Sequence, residues 1–307
     1  MCGFDVKGFD WSQGSRCNRV LPHPWEGLCN VASQMISLQL FRQFSQLVYQ
    51  QCGINLHEGK RELLQARLNK RLRATGIPTY QEYYRYITSS DSDAEIIQFL
   101  DCISTNLTYF FREPKHFEFL EQVAVPEFLA AKRKSKSMRI RIWSAGCSTG
   151  EEPYSLAMSL LTQLEEREQR DFRILATDIS TRVLEIARRG AYTKDRIDKV
   201  PAGLRQRYLQ KRNGTNGEAF FEVVPLLKQI VAFRRLNLKE PFPFQGPFDC
   251  IFCRNVMIYF DKPTQQDLIQ RMAAYLAPGG YLFVGHSESL TGLQHPLHYV
   301  RPSTYRK

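Results

Sequence analysis

Residues 139–154 read RIRIWSAGCSTGEEPY, and the fold turns on them. RIRIWS, residues 139–144, reads as a strand. Gly146 and Gly150 follow, and they let the backbone turn tightly and approach a ligand closely. Residues 151–165 then read as a helix. Strand, glycine turn and helix make one unit of an α/β fold. The unit repeats downstream. RILATD at 173–178 is a second strand, and a helix runs from it through Arg188. Residues 230–236, 248–253 and 280–285 supply three more strands. The alternation predicts a mostly parallel sheet with helices on both faces. The stretch at about 190–229 interrupts it, and AFFEVV after NGTNG reads as a small antiparallel insertion.

Upstream the period becomes helical. Leu40, Phe41, Phe44, Leu47 and Val48 form one stripe, and Leu63, Leu64, Leu68 and Leu72 a second, buried one. Tyr80, Tyr83, Tyr84 and Ile87 form a third, and Ile96, Ile97, Leu100 and Ile103 a fourth. Gly53, Gly76 and Pro78 fall where the stripes break. Residues 35–112 therefore read as a small helical domain. Residues 113–138 read as a linker helix, Pro114 to about Ala131, and a solvated basic turn, AKRKSKS. Residues 139–307 form the α/β domain. Residues 1–34 lack apolar periodicity and read as a flexible extension.

No stretch approaches the ~18–20 apolar residues that span a bilayer. The first residues lack the apolar core of a secretory signal. A cytoplasmic protein without membrane insertion is expected. The net charge of +11 suits an acidic protein partner, nucleic acid or an anionic surface. Eight scattered cysteines do not make a disulfide scaffold. Cys250 and Cys253 lie in a strand, FDCIFC, and residues three apart there face opposite sides. His295-Pro-Leu-His298 reads as a loop. No metal site is expected.

Ligands of an open parallel sheet bind beyond the carboxyl ends of its strands. The turn after the first strand carries Glu151 where a phosphate-binding loop would carry lysine. A carboxylate there favours a cationic ligand, although the turn could be purely structural. Asp178 ends the second strand, placed to bond ribose hydroxyls or to cap the next helix. Asn237 and Leu238, then Arg254, Asn255 and Tyr259, follow the next two strands. Polar groups at successive strand ends favour a nucleoside-containing cofactor. Without a pyrophosphate cradle, S-adenosylmethionine is preferred over NAD.

Five motifs then coincide with a known family. They are TNLTYFFRE at 105–113, WSAGCSTGEEPYS at 143–155, ATDI at 176–179, FDCIFCRNVMIYFD at 248–261 and GHSE at 285–288. In this order they resemble the CheR chemotaxis receptor glutamate methyltransferases over roughly residues 37–305. The resemblance implies a Rossmann-like methyltransferase domain with an inserted antiparallel subdomain, preceded by an all-α domain. It also implies cofactor contacts from Asn106, Thr108, Arg112, Ala145, Glu151, Asp178, Asn237, Leu238, Arg254 and Asn255. Asn237 and Leu238 rest on a short Asn-Leu match.

The implied reaction is attack of a glutamate carboxylate on a sulfonium methyl. Glutamate ionises near ~4.3, so no general base is required. Arg112 is expected to orient the carboxylate, with a cap or salt bridge as the alternative role. Tyr259 is expected to line the transfer path, with a core position as the alternative. His286 is read as structural. Residues 60–73 carry Lys60, Arg61, Arg67, Lys70, Arg71 and Arg73 against one acid, Glu62. That lopsided helix suits docking to the acidic, helical methylation region of a membrane-bound receptor. A monomer recruited to such receptors is expected. A nucleic-acid methyltransferase is the main rival, but the basic helix has no interleaved aromatics for base stacking. A non-catalytic cofactor sensor, or a methyltransferase of another sensor, are the others.

Overall fold

A computed structural model describes residues 35–89, 93–134, 139–214 and 217–307. The expectation for residues 1–34 lies outside the described residues. Four helices open the described chain: α1 (Leu38–Cys52), α2 (Arg61–Thr75), α3 (Tyr80–Ile87) and α4 (Asp93–Ile103). Each follows its stripe. The hydroxyls of Ser37 and Thr79 cap α1 and α3 by accepting from Leu40 and Glu82 N–H. Gly53 and Gly76 end α1 and α2. Phe44, Leu68, Tyr83 and Phe99 meet in the core between them. Leu63 departs from the expected buried stripe: it is 40% exposed.

The linker helix from Pro114 continues to Lys134 with a π-helical turn at Leu120–Ala124. Residues 131–134 belong to it rather than to a solvated turn. Lys132 pairs there with Asp249 at 2.8 Å, and Arg133 with Glu168 at 2.9 Å. Residues 135–138 lie outside the described residues.

The strands are β1 (Ile140–Ala145), β2 (Phe172–Asp178), β3 (Ala191–Tyr192), β4 (Leu209–Asn213) and β5 (Ala219–Val223). They continue with β6 (Val231–Arg235), β7 (Phe248–Cys253), β8 (Leu276–Val284), β9 (His298–Arg301) and β10 (Thr304–Arg306). Seven of them form one sheet in the order β6-β2-β1-β7-β8-β10-β9. From β6 to β8 the pairing is parallel, and β10 and β9 pair antiparallel. The strand order reverses between β1 and β7, so their carboxyl ends open a crevice. β3, β5 and β4 make the separate antiparallel sheet. The β9–β10 hairpin was not legible in the sequence, and His298 starts a strand instead of ending a loop. Cys250 packs in the core layer on one face of the sheet and Cys253 in the layer on the other.

The helical layer is tied to this sheet by polar contacts. The Asp101 carboxylate accepts from Thr181 N–H (2.9 Å), Thr181 Oγ1 (2.6 Å) and Arg182 N–H (3.2 Å), at the start of the helix Thr181–Arg189. Tyr49 donates to Asp261 at 2.8 Å, and Asn237 Nδ2 to the Gln51 carbonyl at 2.7 Å. The Tyr49 and Gln51 bonds hold α1 at one side of the crevice, and in the loop that follows Asn55 N–H donates to the Tyr259 carbonyl at 2.8 Å.

Candidate active site

The crevice holds a cavity of about 490 Å³, within the usual range for small-molecule sites. Asn106, Thr108, Arg112, Asp178, Asn237, Leu238, Arg254, Asn255 and Tyr259 line it, together with Gly146 and Glu152. Residues more than 150 positions apart are thereby brought to one place. Of the five non-glycine residues with left-handed backbone among those described, Ser148 and Asn255 line the cavity, and Phe111 and Glu113 flank Arg112 in the chain. Such conformations persist only where the surroundings enforce them, and they cluster at functional sites.

Arg254 organises the floor. It is 5% exposed and bonds Glu113 and Glu152, each at 2.9 Å, and the Arg112 carbonyl. Ser144 Oγ also donates to Glu152, at 2.7 Å. Burial raises the Glu152 carboxyl despite these partners. For Glu113, burial is outweighed by Arg254 and the His286 N–H, and the carboxyl lies below its usual range.

Asp178 uses its two oxygens to accept from Ser148 N–H (2.8 Å) and Ser180 N–H (2.9 Å). The cap of the following helix is Ser180, so the helix-cap role does not fall to Asp178. A carboxylate accepts about four hydrogen bonds, which leaves room for ribose hydroxyls. Asn237 commits its side chain to Gln51, Glu240 and Lys239, so its remaining reach into the cavity is through the backbone. Leu238 is nearly buried beside it.

Two expected residues do not line the cavity. Ala145 ends β1 and packs in the core. Glu151 is fully buried and bonded to Arg196 and Thr149, away from the crevice. Glu152 faces the cavity in its place, because consecutive helical residues point ~100° apart.

Arg112 donates from one nitrogen to the Leu107 carbonyl at 2.9 Å. The rest of its fork has no protein hydrogen bond or ion pair among the described residues. The Tyr259 hydroxyl likewise has no protein partner among them. Tyr259 sits in a 3-10 turn, Met257–Tyr259, that the sequence did not assign a support. That support is Glu288, whose carboxylate accepts from Gly285 (2.6 Å), Asn255 (2.8 Å) and Ile258 (3.1 Å) N–H. The GHSE motif carried the signal; the role did not show without the fold.

The six cations of residues 60–73 divide. Arg61 donates to the Ile36 carbonyl, Arg67 to the carbonyls of Cys102, Ile103 and Ser104, and Arg71 pairs with Glu95. Those three brace the helical layer. Lys60, Lys70 and Arg73 are exposed, and Lys60 lines the cavity.

Ligating atoms of Glu113, His116 and His286 lie within 4.8 Å of one another, a set not expected from the sequence. Both Glu113 oxygens are engaged, one by Arg254 and the other by His286 N–H (3.2 Å). His116 is buried, with neither ring nitrogen hydrogen-bonded among the described residues. Burial, reinforced by Arg254, pushes its imidazole down to about 3. The unfolded chain takes up this proton near pH ~6.5, so stability should fall as pH drops below that, by ~1.4 kcal/mol per unit. His116→Phe is expected to flatten the slope between about pH 6.5 and 5. Urea midpoints across that range test it, and parallel slopes for both proteins would refute it.

Comparison with known proteins adds the decisive observation. The family model "CheR methyltransferase, SAM binding domain" matches residues 106–305, and "CheR methyltransferase, all-alpha domain" matches 39–104. The chain belongs to the CheR methyltransferase family. It is 44% identical to a chemotaxis protein methyltransferase of Borreliella burgdorferi, over 85% of this chain and 91% of the relative. It is 40% identical to a probable chemotaxis protein methyltransferase of Rhizobium etli, over 85% and 96%. With the chemotaxis protein methyltransferase of Escherichia coli the identity is 41%, over 83% and 85%.

This CheR-family protein is an S-adenosylmethionine-dependent methyltransferase of chemotaxis. The cavity fits that cofactor. It offers Asp178 and Glu152 as carboxylates for hydroxyls and cationic groups, and no lysine takes the place of Glu151 in the turn. No helix among the described residues is long and apolar enough to cross a membrane.

Proposed function

We propose that the protein esterifies glutamate side chains of methyl-accepting chemotaxis receptors, serving sensory adaptation on the cytoplasmic side of the membrane. The observation that carries this reading is Arg112, whose guanidinium lines the cofactor cavity with most of its fork unbonded. The relatives named as chemotaxis methyltransferases support the target class.

The cofactor supplies an electrophilic methyl on a sulfonium. Asp178 and the backbone at Asn237–Leu238 would hold its nucleoside, and Arg254 keeps Glu152 in place at the cavity wall. Arg112 receives the incoming carboxylate. The partner is already ionised at neutral pH, so positioning is the main work. Bonding through a single N–H of the fork leaves the other carboxylate oxygen free to attack. Tyr259 lines the path and excludes water.

A nucleic-acid substrate fits less well. Three of the six cations on and beside α2 are consumed by contacts within the protein. What remains is a short exposed row.

Incubation with methyl-labelled S-adenosylmethionine and receptor-bearing membranes tests the reading. The expected product is receptor label released by alkali as methanol. Arg112→Ala should lower the rate by about 10²–10³. Alkali-stable label would point to nitrogen methylation and overturn the proposal.

A further inference from the structure

Three large apolar side chains stand exposed around the cavity: Leu63 at 40%, Leu107 at 76% and Ile258 at 51%. They come from α2, the loop before Arg112 and the turn that contains Tyr259. None sits on loose chain. The Leu107 carbonyl accepts from Arg112, and the neighbouring Asn106 carbonyl accepts from Ser148 Oγ at 2.9 Å. Ile258 N–H is fixed on Glu288 at 3.1 Å. Leu63 projects from the first turn of a regular 15-residue helix. Rigid apolar groups left in water beside a reactive cavity mark a prepared contact surface.

The exposed face of α2 continues from this collar. Glu62, Leu63, Ala66, Lys70 and Arg73 share it at helical spacing. Ala66 leaves room for a second backbone to approach. Lys70 and Arg73 lie one to two turns beyond the small residue, about 10–15 Å from Leu63.

We propose that Leu63, Leu107 and Ile258 form an apolar collar that selects the target by the side chains flanking its glutamate. The occupant is an amphipathic acidic helix laid along α2. Its apolar side chains, within one turn of the target glutamate, rest on the collar. Its acidic residues, roughly seven to ten positions away, meet Lys70 and Arg73. Apolar contact sets which glutamate enters, and charge speeds encounter. The inference rests on the receptor-glutamate reading above.

The test is the double variant Leu107→Ser/Ile258→Ser, assayed for alkali-labile receptor methylation at varied receptor concentration. S-adenosylhomocysteine affinity is measured alongside by calorimetry. The expected result is a fall of about tenfold or more in kcat/KM for receptor, carried mainly by KM. Affinity for S-adenosylhomocysteine should stay within about twofold, with apolar Leu107→Met/Ile258→Met restoring most of the rate. A Lys70→Ala/Arg73→Ala variant should lose rate chiefly at low salt. Equal kcat/KM for wild type and the serine variant overturns the collar alone. Loss of S-adenosylhomocysteine binding in the serine variant also overturns it, because the residues would then belong to the cofactor site. No receptor labelling by the wild type overturns the underlying reading and the collar with it.

Discussion

Arg254→Met is expected to destabilise the protein by ~3–5 kcal/mol and to abolish cofactor binding. Arg254 is the cation between Glu113 and Glu152, whose side chains are 11% and 12% exposed. Removing it leaves two carboxylates in a poorly hydrated place, Glu152 with no countercharge and Glu113 with only the neighbouring His116 and His286. Methionine matches the volume but returns nothing to either acid. Burial already raises the Glu152 carboxyl with Arg254 present, so in the variant that group should bind a proton at still higher pH. A folded-state value above the unfolded one means that stability is lost as pH rises through the range. The penalty should therefore be smaller near pH 5 than near pH 8. Arg254→Met/Glu152→Gln should recover part of the loss, because one of the two orphaned charges is gone. Urea unfolding of the four proteins in the cycle measures the coupling. An Arg254→Met variant within ~1 kcal/mol of wild type would sink the account.

Gly146→Ala is expected to weaken S-adenosylhomocysteine binding by about 100-fold or more, for two independent reasons. Gly146 has φ +83°, where a side chain is strained. An added Cβ would also stand 2.3 Å from Val256 Cγ2. Val256 must turn that methyl away or shift, and the backbone on either side of it is tied to Glu288 at Asn255 and Ile258. The clash therefore falls on the cavity wall next to Tyr259. Val256→Ala in the same chain removes the colliding methyl and should restore about half of the lost binding energy. Backbone strain of ~1–2 kcal/mol remains. Calorimetry of the three variants decides it, and wild-type affinity in Gly146→Ala would show that the turn tolerates a side chain.

Much of the architecture was legible because it is written in local periods. The stripes of α1 to α4 and the breaks at Gly53 and Gly76 follow from a repeat of 3.6. The opposite facing of Cys250 and Cys253 follows from a repeat of two. The β9–β10 hairpin was missed because the first three residues of His298–Arg301 are exposed in succession and carry no alternating signal. Leu63 was misread because a leucine beside Leu64 satisfies the stripe pattern while pointing past it.

The sequence by itself determined which elements form, which strand ends carry polar groups, and through its long motifs the family and cofactor. It did so because side-chain chemistry and spacing along one element are local properties. Only the tertiary structure decided which groups face the cavity and which are spent elsewhere. Glu152 rather than Glu151 lines the crevice because Arg196, 45 residues away, claims the latter. Arg61, Arg67 and Arg71 brace their own layer because carbonyls and a carboxylate from distant chain stand opposite them. Arg254 meets Glu113 across 141 positions. A charged side chain takes whatever partner the fold brings within ~3 Å, and that distance has no expression in sequence separation.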